Sequence, residues 1–466
     1  MTMTKSISKF IGDKAFYKHT LAIAVPIMIQ NGITNFVNLL DNIMVGRIGT
    51  EQMSGVAIVN QLVMIYFLCI FGGVAGAGIF TAQYYGEHND DGIRLTVRFK
   101  IWIGIFITVI ATSIFIFWGD PLIRAFLNSS DSGGDLAAAL GYGKDYLSII
   151  LLGFPAFMML QVYTGTLREC NETVTPMKAG IVAVIVNLAL NYVLIYGKLG
   201  FPALGVKGAA IATVVARYTE AITVIVWAHT HKHKYSFIQG LYLTMRIPLS
   251  KFRQILMKGL PLLVNEGLWA SGMATLTQCY STRGLSVIAG LNIANTIFNM
   301  FSVVFIAMGN TVAIIVGQLL GAGKTDEAKD TDTKLVVFSV MCSTAIALVM
   351  LVLAPLFPSF YNTTPLSKEI AMQFIIAQAV FMPQNAYIHA AYFTLRSGGK
   401  TIVTFLFDSV FMWFISIPVA FILSRYTAIP AIYIFIVVQI VDWIKCLIGY
   451  ILVKKGLWLQ NLVENT

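Results

Sequence analysis

Apolar positions in this chain come in long, nearly unbroken runs, not in the alternation of a strand or the narrow stripe of a surface helix. Twelve runs stand out: 17–42, 55–80, 98–119, 146–167, 179–197, 207–229, 255–281, 286–317, 334–356, 370–394, 401–424 and 429–452. A hydrocarbon layer about 30 Å thick needs roughly 20 apolar residues in helix, so each run predicts one membrane crossing. No series of short alternating segments predicts a closed barrel, which leaves helices to satisfy the buried backbone.

Sliding the chain on itself exposes a repeat. At an offset of 235, Pro26 falls on Pro261, Gly32 on Gly267, Gly49 on Gly284, Gly55 on Gly290 and Asn60 on Asn295. The register continues through Gln83 on Gln318, Gly86 on Gly321 and Asp91 on Asp326. After a small gap, Pro155 with Thr166-Leu167-Arg168 matches Pro383 with Thr394-Leu395-Arg396, and Ile181-Val182 with Asn187 matches Ile402-Val403 with Asp408. A shift of six spans preserves orientation, so the halves are parallel repeats. Carriers that rock two halves around a central site are built this way. The predicted fold is therefore an all-α integral membrane protein with twelve transmembrane helices in two pseudo-symmetric six-helix lobes. The N-lobe would cover 1–229, a basic cytoplasmic linker loop 230–254, and the C-lobe 255–466.

Composition agrees with a membrane class. Of 466 residues, 57% are hydrophobic and 12% charged, about half the charge of a soluble domain. The net charge of +10 raises nucleic acid as a partner, but the placement of the basic residues argues against it. Counting alternate loops puts 22 of the 32 Lys and Arg on the side of the N-terminus and eight on the other, with Arg217 and Lys445 inside spans. The bias predicts both termini in the cytoplasm. The first apolar run is too long for a cleaved signal peptide, neither end carries a lipidation motif, and the inner (cytoplasmic) cell membrane is the expected location. The sequons at Asn128 and Asn362 matter only in a glycosylating pathway. Five scattered cysteines (Cys69, Cys170, Cys279, Cys342, Cys446) have no metal or redox spacing and read as small apolar residues. No nucleophile, metal-protease, phosphate-loop or dinucleotide motif appears, so an enzyme and a bound cofactor are not expected.

Ionisable groups inside a span are functional candidates by default. Asp41, in Asn38-Leu39-Leu40-Asp41-Asn42, has Arg47 as its nearest basic residue in sequence. It could exchange a proton or help bind Na⁺, or it could be an interfacial acid in contact with water. Asn187 and Asn191 share one helix face, with Thr213 opposite on span six; these are hard neutral ligands, or plain interhelical hydrogen-bonding groups. Glu266, in Asn265-Glu266-Gly267-Leu268-Trp269, is a candidate for substrate binding or a second coupling site, or an acid that only hydrates a cavity. Asp408, the repeat partner of Asn187, is a weaker candidate for a second cation pocket. Glu220 lies three after Arg217, and Asp442 three before Lys445; both pairs are placed to neutralise themselves. Pro26 and Pro261 predict kinks.

The repeat, with Asp41-Asn-Ile-Met-Val-Gly46-Arg-Ile-Gly49, Asn187-Leu-Ala-Leu-Asn191-Tyr-Val-Leu-Ile-Tyr-Gly197 and Gly205-Val-Lys-Gly208-Ala-Ala-Ile-Ala-Thr213, resembles the multidrug and toxic compound extrusion (MATE) family over essentially the whole chain. The resemblance implies two six-helix lobes around a central cleft. It also implies export of cationic, often aromatic compounds in exchange for H⁺ or Na⁺, by a monomer in the lipid bilayer. The family's N-lobe cation site combines an acid in helix one, matched by Asp41, with an Asn and an Asp four apart in helix five and a Thr in helix six. Asn187 and Thr213 match; the second helix-five position is Asn191, which removes one carboxylate. NorM-like members carry a helix-seven acid at a later position, where this chain has Trp269. Glu266 belongs to a different bacterial pattern, Asn-Glu-x-x-Trp. Two rivals follow from the same residues: a lipid-linked precursor flippase of the related superfamily, which would have a basic cavity, and a non-transporting receptor or channel scaffold.

Overall fold

The computed structural model describes residues 10–127 and 136–464; the Asn128 sequon lies outside the described residues. The described chain is helical throughout and falls into twelve long segments. They are α1 Lys14–Gly46, α2 Thr50–Gly86, α3 Asp90–Leu127, α4 Leu136–Glu169, α5 Val174–Tyr196, α6 Val206–Thr230, α7 Leu249–Ser281, α8 Leu285–Gly321, α9 Thr325–Leu353, α10 Pro365–Ser397, α11 Thr401–Tyr426 and α12 Ala431–Lys454. The repeat read from the sequence reappears in these boundaries. Moving both ends of α1 by 235 gives the ends of α7, and the same shift carries α2 onto α8 and the start of α3 onto the start of α9.

Ten of the twelve are long and apolar enough to cross a membrane by composition alone. The other two are α7 and α10, whose polar residues include Asn265, Glu266, Gln384 and Arg396. A helix lined by protein tolerates such groups where one facing lipid does not, and α10 buries much of its length. Pro26, Pro121, Pro261 and Pro383 interrupt α1, α3, α7 and α10. A 3₁₀ turn at Leu151–Gly153 divides α4, which starts ten residues earlier than its apolar run predicts. Helix α11 widens into π-turns at Leu406–Val410 and Met412–Ser416, a geometry that concentrates at functional sites.

The chain divides into two compact units. One comprises residues 29–81 and 90–259, the other 1–28, 82–89 and 260–466. In the first unit, Tyr66 stacks on Phe154 at 3.8 Å, and its hydroxyl bridges the Phe154 carbonyl and Thr108. The segment after α6 is fastened along α3 in the same unit. Arg94, Arg98 and Trp102, one turn apart on the helix, donate to the carbonyls of Phe237, Leu241 and Met245. Glu172, in the turn between α4 and α5, accepts from the backbone and hydroxyl of Thr175, from Tyr235 and from Lys234. Burial pushes its carboxyl up, but these hydrogen bonds outweigh the burial and hold it below its ordinary range. In the second unit, the glycines at the ends of α2 and α8 let two backbones meet. A Cβ at Gly86 would lie 1.9 Å from the Gln318 carbonyl oxygen, and one at Gly321 1.9 Å from that of Gln83. Gln83 also donates to the carbonyls of Ser397 and Gln460 and accepts from the Leu462 amide.

Candidate functional site

Three of the four residues singled out for the N-terminal half meet directly. Helix α1 carries Asp41 and α5 carries Asn187 and Asn191 one turn apart, so the two amides share one face of the helix. The Asn191 amide nitrogen donates to Asp41 Oδ1 at 2.6 Å and to Asn187 Oδ1 at 3.0 Å. With both donor protons committed, Asn191 Oδ1 is left buried with no hydrogen-bond partner among the described residues. A buried carbonyl oxygen without a donor is costly; beside a carboxylate, it completes an oxygen set suited to a small cation. Thr213 of α6 lies beside the hydroxyl of Tyr146, which donates to Asn60 Oδ1 at 3.2 Å and lies within electrostatic reach of Asp41. Tyr146 on α4 is thus a neighbour the sequence reading missed. Asn60 carried a signal, since the repeat pairs it with Asn295.

The sequence leaves Asp41 without a basic neighbour; folding supplies one. Arg217 of α6 lies within electrostatic reach of Asp41. Arg217 Nη1 is also 3.4 Å from Glu220 Oε2, as the three-residue spacing predicted. Glu220 accepts in turn from Gln30, and Gln30 accepts from the Arg168 guanidinium. A charged polar chain therefore runs from α4 through α1 to α6 inside one unit.

The second unit corrects one expectation. Asp442 and Lys445 were expected to neutralise each other. Instead, Lys445 Nζ lies 2.6 Å from Asp408 Oδ1, and Asp442 accepts from Ser416. The π-turn of α11 presents Asp408 to this lysine and to Asn265, whose amide donates to Oδ2 at 3.1 Å. Asn265 is itself oriented by the Ser409 hydroxyl at 2.7 Å. Asp408 is thus already matched by a tethered cation, with side-chain exposures of 8% for Lys445 and 17% for Asp408. Glu266 on α7 makes no hydrogen bond among the described residues, and Arg396 and Asp408 are the charges that act on it.

Basic residues assigned to loops also turn out to be interior. Lys100 is 1% exposed and pairs with Glu169 at 2.5 Å, Arg396 is buried, and Arg168 feels Glu220 and Glu169. Each has an acid within electrostatic reach in its own unit.

Comparison with known proteins agrees with this architecture. The family model described as MatE matches residues 26–193 and 261–422, once in each half. "Probable multidrug resistance protein NorM" of Thermotoga maritima is 25% identical over 417 residues, 88% of this chain and 86% of that protein. "Multidrug resistance protein PmpM" of Pseudomonas aeruginosa is 25% identical over 460 residues, 98% of this chain and 90% of its own. Among solved structures, a mutant of the Vibrio cholerae MATE transporter VcmN superposes with a TM-score of 0.84 at 16% identity, covering 96% of this chain and 98% of that one; at that identity the likeness is one of fold. With a match spanning well over half its length, this multi-pass membrane protein belongs to the MATE (multidrug and toxic compound extrusion) family of transporters.

Proposed function

We propose that the chain is a secondary antiporter that exports cationic, amphipathic organic compounds in exchange for H⁺ or Na⁺ by alternating access. It would act as a monomer in the inner membrane with both termini cytoplasmic. The observation that carries this reading is the Asp41–Asn191–Asn187 cluster: an intramembrane carboxylate beside a buried carbonyl oxygen that lacks a donor. A proton or Na⁺ at that cluster satisfies both oxygens. The relatives' names, multidrug resistance proteins, support the substrate class, and so does Glu266, an acid without a hydrogen bond among the described residues that would attract a cationic compound. One charge moved through 100 mV supplies about 2.3 kcal/mol, which shifts a two-state population roughly fifty-fold. Neither a cofactor nor a catalytic group has a part in this scheme.

The test is efflux of a cationic dye from proteoliposomes, with H⁺ and Na⁺ gradients imposed separately, for wild type, Asp41→Asn and Glu266→Gln. Loss of gradient-driven efflux in Asp41→Asn, with dye binding retained, supports the reading and identifies the ion. Equal efflux in all three proteins removes both acids from the mechanism.

A further inference from the structure

Asp332 is a buried acid that the transport scheme does not use. It sits on α9, 1% exposed, and among the described residues it forms no ion pair. Its one side-chain hydrogen bond among the described residues is with Thr394 Oγ1 on α10, at 2.5 Å. That hydroxyl lies 3.0 Å from a second acceptor, the Ala390 carbonyl one turn back on its own helix. A threonine hydroxyl has a single proton. If it is given to the Ala390 carbonyl, the contact with Asp332 needs a proton from Asp332.

The other repeat shows which way the proton goes. Thr166 is the counterpart of Thr394 in the sequence repeat, and its hydroxyl likewise meets the carbonyl one turn back, Val162, at 2.8 Å. There the second partner is a donor that cannot accept: Lys100 Nζ of α3, at 3.0 Å. Thr166 therefore gives its proton to its own helix and accepts from the neighbouring one. Lys100 is balanced by Glu169. In the second unit the counterpart of Glu169 is the neutral Ser397, whose hydroxyl bonds within its own helix, and the counterpart of Lys100 is Leu335. Asp332, one turn earlier on the same helix face, reaches the threonine instead.

We propose that Asp332 is a proton-binding site, held as the neutral carboxylic acid with its O–H donated to Thr394 Oγ1. It joins α9 to α10 as the Lys100–Glu169 pair joins α3 to α4. No basic side chain faces it among the described residues: Thr394 is its hydrogen-bonding partner, and the Tyr387 phenol of α10 is the other titratable group that feels it. The proton is taken from solvent on folding and is distinct from any cation exchanged at Asp41, so the inference goes beyond the antiport reading and does not depend on it.

The test is infrared difference spectroscopy on the purified protein at neutral pH, wild type minus Asp332→Asn, in H₂O and D₂O. A lost carboxylic C=O band that shifts in D₂O supports the site. Loss of carboxylate stretching bands in its place overturns it. Thr394→Val gives a second reading where the asparagine variant fails to accumulate. An acid deprived of its acceptor moves its C=O band to higher frequency, whereas a change confined to carboxylate bands refutes the proposal. Neither measurement requires transport, so failure of the antiport reading leaves the result interpretable.

Discussion

Lys445→Met tests how the second unit tolerates charge inside the membrane. The substitution keeps most of the side chain's volume and removes the ammonium 2.6 Å from Asp408. Asp408 retains the Asn265 amide at 3.1 Å but is left as a buried carboxylate without its cation. Breaking one side of a buried pair costs about 3–5 kcal/mol, because the surviving charge keeps its desolvation penalty. For a unit of roughly two hundred residues, each kcal/mol is worth about 2–4 °C in melting temperature, so the midpoint should fall by about 6 °C or more. Asp408→Asn in the same background removes the stranded charge and should restore most of the loss, since replacing both members of such a pair is often near neutral. Thermal unfolding of the four proteins in detergent, followed by intrinsic fluorescence, completes the cycle. A drop of less than about 2 °C in Lys445→Met, or a double variant no more stable than that single one, would refute the assignment of Lys445 as the counter-ion of Asp408.

Further outcomes follow from other parts of the fold. Asn191→Asp places a second carboxylate at the 2.6 Å contact with Asp41; two such groups share a proton or a cation, so Na⁺ binding measured calorimetrically should strengthen relative to wild type. Gly321→Ala drives a methyl into the Gln83 carbonyl and should cost about 1–3 kcal/mol. Gly267→Ala, with open space around it, should cost nothing or stabilise α7 by up to about 1 kcal/mol; melting curves compare the two. Glu172 has its carboxyl held below its ordinary value of 4.5. Its contribution is therefore present above that value and is lost as pH falls through the lower, folded-state one. Wild type should be more stable than Glu172→Gln near neutrality, and the two should converge in acid.

Much of this architecture was legible because a bilayer imposes one length on every crossing helix. The apolar runs sit inside the observed helices, apart from the last residue of the fifth, the last three of the ninth and the first two of the twelfth, and the offset of 235 recurs in helix boundaries. Proximity across helices was legible only where residues share a face, as Asn187 and Asn191 do. Arg217 near Asp41, and Lys445 on Asp408 instead of Asp442, depend on how α6 and α12 are turned about their axes, which apolar runs do not encode. Asp332 escaped notice because its helix begins at Thr325, nine residues ahead of the apolar run. An acid that looks like part of a loop is inside a packed helix pair. Arg396 was hidden in a similar way, two residues past the end of its apolar run but still inside α10.

The most direct test of the exchange mechanism is cation release triggered by substrate, with no gradient present. Purified protein in detergent is mixed with a cationic dye in weakly buffered solution, and proton release is read with a pH indicator and Na⁺ release with a radiotracer. Linkage requires that two ligands whose binding is negatively coupled displace each other reciprocally. The account predicts release of one of the two cations from wild type and none from Asp41→Asn, with dye binding intact in both. Equal release from the two proteins, or dye binding indifferent to both cations, would contradict it.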